Sequence, residues 1–179
     1  MLSIIHNDHA NMNLLLTLLR KKIQQLENDE KIDYRLIKTI ISYLRNYSDK
    51  YHHPMEDLIY DYYLKYRVVA DEMAFRLSQE HTLINKATVE LDELLDMILL
   101  DAIVSKEQCI EKLRNFVDLN AAHLLFEEQE VLPLIKESLS PDDWSNLEQQ
   151  WKHKEYKDPL FGENVSDQYR TLANHIKKV

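Results

Sequence analysis

Two His-x-x-x-Glu steps stand in the chain, His52 with Glu56 and His123 with Glu127, so the second repeats the first at a single offset. Two further histidines, His9 and His81, are related by nearly the same offset. Four residues apart on a helix, a histidine and a glutamate share one face and can reach one ion. Imidazole and carboxylate suit a transition-metal site, and a carboxylate can bridge two cations. Four imidazoles and two carboxylates therefore fit a pair of metal ions, with two histidines on each and both glutamates shared. Without a cation, each such group left unpaired in an apolar core costs roughly 2 to 7 kcal/mol.

Long helices must carry these residues. The 179 residues include one glycine and four prolines, so helix breakers are scarce, and 45% are hydrophobic, which suffices for one domain with a sizeable core. Ile5, His9, Met12, Leu16, Leu19, Ile23 and Leu26 step by four and three, the apolar seam of a bundle helix. The seam recurs, position for position, as Leu77, His81, Ile84, Thr88, Leu91, Leu95 and Ile98, with the histidine second in both. The pattern predicts helices over about 4–27, 33–64, 70–100 and 106–137, joined at Asn28 to Lys31, at Lys65 to Arg67 and at Asp101 to Ser105. Ser105 with Gln108 reads as a capping box for the fourth. Pro54, between His52 and Glu56, removes a backbone bond and predicts a bend or local unwinding there.

In an antiparallel pair of helices, residues share a height when the turn lies midway between them, because the rise per residue is constant. Midway between His9 and His52 lie Glu30 and Lys31; midway between His81 and His123 lies Ala102; midway between His52 and His81 lie Tyr66 and Arg67. All three positions are expected turns. The four histidines are therefore expected in one layer, with Glu56 and Glu127 joining it.

The repeat stops after Leu139, which gives a bundle over 1–139 and a helical extension over 140–179 packed on the same domain. Ser140, Pro141, Asp142 and Asp143 read as a strong helix start, with the helix running to about His153. A loop through KEYKDPLFG and a last helix over about 166–177 complete the extension.

The remaining candidates are subordinate. His6, one turn before His9, is expected at the rim; His53 and Glu128, each one step from a ligand, are expected either beside the centre as supporting groups or exposed to solvent, and Asp57 likewise. His153 and His175 lie outside the repeat, and the ten tyrosines read as packing between helices. Cys109 is the only cysteine, so neither an intrachain disulfide nor a thiolate cluster can form, which suits a reducing cytoplasm. A formal charge of -9 disfavours nucleic acid and anionic membrane surfaces as partners. The first residues carry no basic stretch, and Asp96 and Asp101 interrupt the most apolar one, so neither a secretory signal nor a spanning helix is expected. Self-association into a homo-oligomer is compatible with the sequence, which identifies no electron donor.

Through DHANM, HHPMED, QEH and HLLFEEQEVLP the sequence resembles the hemerythrin-like family, or HHE cation-binding domain, over about residues 3–137. The resemblance implies an all-α, antiparallel up-down four-helix bundle holding two iron ions with a bridging oxygen species, although zinc or another divalent metal suits the same donors. It implies binding of O2 or NO, or a part in redox or iron sensing or stress response, rather than a dedicated catalyst. Oxygen-carrying hemerythrins use a fifth histidine one turn before the third-helix ligand, where this chain has Leu77. The four-histidine set is closer to the bacterial di-iron proteins associated with iron–sulfur cluster repair, which usually carry an N-terminal cysteine segment that this sequence does not show.

Two other functions compete with this reading. A ferritin-like di-iron oxidase normally uses four glutamates to two histidines, the inverse of this set. A helical interaction module would use the polar layer only to fix register, and chelation would leave its melting temperature unchanged.

Overall fold

The computed structural model of the chain describes residues 1–66, 71–152 and 156–177. Among them there is no strand. Four long rods run as the hydrophobic seams predict. The first is α1, Leu2–Glu27. The second comprises α2 (Tyr34–Tyr47), a π turn (Ser48–His52) and α3 (His53–Tyr66). The third is α4, Asp71–Leu99. The fourth comprises α5 (Lys106–Phe126), a second π turn (Glu127–Val131) and α6 (Leu132–Ser138). Helix α5 packs between α1 and α4, and α2 lies along α4, so the rods enclose one core. Ile5, Leu16, Leu19, Leu91, Leu95, Ile37, Ile40 and Leu113 fill it.

The duplication extends into the loops. Asp29 and Asp101, related by the offset of the seams, both adopt the left-handed conformation, with φ of 59° and 60°. Each closes the same cap: Glu30 N–H donates to Gln25 at 2.9 Å and Asp29 N–H to Leu26, while Ala102 N–H donates to Met97 at 2.9 Å and Asp101 N–H to Ile98. Aspartate tolerates this region better than most residues, and it takes here the place glycine usually fills. Asp33 caps α2 through the N–H groups of Arg35 and Leu36. The Ser105 hydroxyl accepts the Gln108 N–H at 3.1 Å, one half of the expected capping box. The expected turn at Lys65 to Arg67 is described only to Tyr66, the end of α3; Arg67 lies outside the described residues.

Helix 33–64 is interrupted, as Pro54 predicts, but the interruption lies just upstream of the proline: His53 N–H bonds to Ser48 across the wider π turn. Pro133 repeats the arrangement in the fourth rod, where Leu132 N–H bonds to Glu127. A proline displaces the carbonyl one turn back, and a widened turn at that point absorbs the clash without ending the helix.

Beyond Leu139, Ser140 and Asp143 form a reciprocal capping box on α7, Pro141–Gln150. A 3-10 turn at Asp167–Tyr169 leads into α8, Arg170–Ile176, so the last helix is shorter than 166–177. Helix α7 rests on α3 and α8 on α1 and α2, with Leu147, Leu160 and Leu172 buried beneath. His153 lies outside the described residues. No helix among them is long and apolar enough to cross a membrane.

Candidate metal centre

Glu56 and Glu127 sit at the middle of the bundle with no exposure. Around them the donor atoms form two groups, His9, His52, Glu56 and Glu127 in one and His53, Glu56, His81 and His123 in the other. Within each group all the donors lie within 4.8 Å of one another, and Glu56 belongs to both. His9 Nε2 stands 3.3 Å from Glu56 Oε1 and 3.4 Å from Glu127 Oε2. His52 Nε2 is 3.1 Å from Glu56 Oε1, and His123 Nε2 is 3.3 Å from Glu127 Oε2 and 3.1 Å from His81 Nε2.

Three of the rings are held from behind by acids. Asp8 Oδ2 faces His52 Nδ1 at 3.3 Å, Glu80 Oε2 faces His123 Nδ1 at 3.0 Å, and Glu128 Oε1 faces His9 Nδ1 at 2.7 Å. An ionised carboxylate only accepts, so each of these Nδ1 atoms carries the proton and Nε2 is aimed inward. The acids are themselves tied down. Tyr47 donates to Asp8 Oδ1 at 2.9 Å, Arg76 donates to Glu80 at 2.7 Å, and His6 Nδ1 lies 2.8 Å from Glu128 Oε2. Tyr60 donates to Glu127 Oε1 at 2.9 Å.

The charges are balanced unevenly. Burial and the Glu56 charge push Glu127 well above the usual carboxylate range. Burial would raise Glu56 too, but the His52 charge beside it holds it well below. Burial would lower His52, yet Glu56 and Asp8 overrule it and raise its pKa to about 10. Burial lowers His53 to about 3 and His123 to about 4. In the metal-free centre the Glu56–Glu127 pair is thus split, Glu127 shifted toward its protonated form and Glu56 toward its ionised form, with His52 favoured in its charged form.

The donor set fits a pair of cations. His52 Nε2, Glu56 Oε2 and Glu127 Oε2 are buried and make no hydrogen bond of acceptable geometry, an uncompensated cost that ligation removes. The group around His9 and His52 is sealed, whereas His81 is half-exposed. A cavity of about 220 Å³, lined by Arg45, Ser48, Asn85, Thr88 and Asn120, opens onto His53 and His81.

All six residues expected as ligands come together in this layer, and His6 and Glu128 stand behind His9. His53 is placed differently from the expectation. A regular helix would turn it about 100° from His52, but following the π turn its ring stacks on His81, 4.3 Å between centroids, among the donors. Asp57 is exposed, and His175 bonds to the Thr171 carbonyl in α8. Sequence reasoning missed Asp8 and Glu80, although a signal was present: each immediately precedes a seam histidine, so the pair shares the offset that relates His9 to His81.

The family model for the hemerythrin HHE cation-binding domain matches residues 1–135. The chain belongs to this family. Curated proteins and solved structures gave no match. The match runs from α1 to Ile135, within α6, and does not reach α7 or α8.

Proposed function

We propose that this HHE domain holds two iron ions between its four rods and binds O2 or NO there, serving in redox or iron sensing or in a stress response. The observation that carries the reading is the pair of donor groups joined through Glu56. His9 and His52 would hold one ion and His53, His81 and His123 the other, with Glu56 and Glu127 shared. Bound there, iron would supply a redox couple and an exchangeable coordination position for a diatomic ligand.

The chain's own residues do the rest. Asp8, Glu80 and Glu128 fix the tautomer and orientation of three imidazoles. The sealed wall around His9 and His52 excludes water, and the cavity at His53 and His81 gives small molecules a way in. The histidine-rich set supports ligand binding over the carboxylate-rich ferritin-like oxidase chemistry.

Anaerobic metal analysis followed by titration with O2 and with NO tests the reading. Two irons per chain and new visible bands with either gas are expected. If His81→Ala leaves iron stoichiometry and spectrum unchanged, the assignment fails. Chelation should also lower the melting temperature, because a ligand of the folded state stabilises it by mass action.

A further inference from the structure

The extension that the HHE family model leaves out is not a plain lid. It completes an aromatic chain that starts at the metal centre. Asp8 joins the two: its Oδ2 faces His52 Nδ1 at 3.3 Å, and its Oδ1 accepts the Tyr47 hydroxyl at 2.9 Å. From Tyr47 the next ring is Tyr51, 5.5 Å between centroids, and Tyr51 stacks on Tyr156 at 4.5 Å and 24°. Tyr156 also meets Tyr47 edge-on at 5.9 Å. Tyr47 and Tyr51 are buried, while Tyr156 is 37% exposed. A side branch runs from Tyr47 to Tyr43, stacked at 5.5 Å, and on to Tyr169 at 5.3 Å.

We propose that Tyr47, Tyr51 and Tyr156 conduct oxidising equivalents from the metal centre to the surface, with Asp8 as the proton acceptor. The proposal rests on the reading of the centre given above. A phenol gives up an electron readily only when its proton can leave too. Packing requires a buried tyrosine to have some hydrogen-bond partner, but both buried members that branch here donate to carboxylates: Tyr47 to Asp8, and Tyr43 to Asp158 of the extension at 2.8 Å. A cleft of about 520 Å³, edged by Lys38 and Lys50 and lined by Tyr156 and Tyr169, opens the outer end to small solutes.

The electron count closes with hydrogen peroxide as oxidant. Its reduction to two waters takes two electrons and two protons. Tyr47 gives one electron to the peroxide-oxidised centre and its phenolic proton to Asp8 Oδ1, leaving a neutral tyrosyl radical. Tyr156, directly or through Tyr51, then reduces Tyr47, which recovers the proton from Asp8; the proton of Tyr156 goes to water. A one-electron reductant in solution, such as ascorbate, restores Tyr156. A second passage supplies the second electron.

Two measurements test this, and they separate the chain from the centre. In the first, iron-loaded protein made with ring-deuterated tyrosine is mixed with one equivalent of peroxide and freeze-quenched for electron paramagnetic resonance. A tyrosyl radical is expected, falling by about an order of magnitude in Tyr47→Phe. In Tyr156→Phe it should form normally but resist ascorbate for about an order of magnitude longer. No tyrosyl radical, a radical indifferent to Tyr47→Phe, or one removed only by Tyr60→Phe overturns the proposal. In the second, metal-free protein carries a ruthenium photo-oxidant on Lys157→Cys, beside Tyr156; Cys109 is buried and does not compete for label. Tyr156→Phe should slow re-reduction of photo-oxidised ruthenium by about an order of magnitude. An unchanged rate sinks the aromatic route even if the protein binds iron as proposed, and failure to bind iron sinks the reading of the centre while this rate still decides the route.

Discussion

The Glu80 carboxylate on α4 accepts the Nδ1 proton of His123 on α5 at 3.0 Å. Asp8 on α1 stands in the same relation to His52 on the neighbouring rod. In each half of the duplicated bundle, an acid immediately before a seam histidine supports the histidine of the following rod. Loss of such a partner typically costs 10- to 100-fold in metal affinity. Glu80→Ala is therefore expected to weaken one of two metal equivalents by about that factor. Competition with a calibrated chelator measures it. Because Glu80 is partly exposed and away from the apolar core, circular dichroism should stay that of the parent.

His53 gives a sharper test of ligand assignment. Its ring lies among the donors of the second group and lines the cavity that reaches it. His53→Ala should cut tight metal binding from two equivalents to one. His6→Ala, which removes only an exposed ring from Glu128, should keep both. Equal stoichiometry in the two variants would put His53 back among the supporting groups.

The convergence of the candidate donors was legible because it depends on two periodicities that survive folding: the helical step that keeps His52 with Glu56 on one face, and the midway rule that sets His9, His81 and His123 at the same height. His53 was not legible. A regular helix turns it away from His52, and only the π turn at Ser48–His52 reverses that. Pro54 marked the disturbance without giving its form. Pro133 marked the second one equally well, yet the π turn at Glu127–Val131 does not obey the repeat: Pro54 falls between its histidine and its glutamate, whereas Pro133 falls beyond Glu127. Asp8 and Glu80 do follow the seam offset and were readable from it. The tyrosines could only be read as packing, because their order in space depends on an extension outside the repeat.

Metal loading should release protons. His52, held up to about 10 by Glu56 and Asp8 against its own burial, carries its second proton in the metal-free protein at neutral pH, and Glu127, raised well above its usual range by burial and by Glu56, is shifted toward its protonated form. A ligated imidazole and a bridging carboxylate carry none at these atoms. At least one proton, from His52, should therefore leave per loaded centre near pH 7, and affinity should rise with pH until His52 deprotonates unaided near 10. Calorimetry in buffers of different ionisation enthalpy reads the number. Zero release would show that the protonation pattern assigned to Glu56, Glu127 and His52 is wrong.

Pro54→Ala sets stability against function. The substitution restores an N–H one turn from the Lys50 carbonyl and removes the ring that excludes a regular helix, a change worth up to about 3 kcal/mol in a helix interior. If the π turn exists to accommodate the proline, the variant relaxes toward an unbroken α-helix and the metal-free protein melts at a higher temperature. The same relaxation rotates the residues upstream of Pro54 relative to Glu56, so His52 and His53 can no longer both face the ions. Metal affinity should then fall even as the fold gains stability, the trade expected where a local rule is broken for a site. Thermal melts of metal-free protein together with chelator competition check both halves. A variant that keeps full affinity would mean that the turn is held open by the ligands and not by the proline.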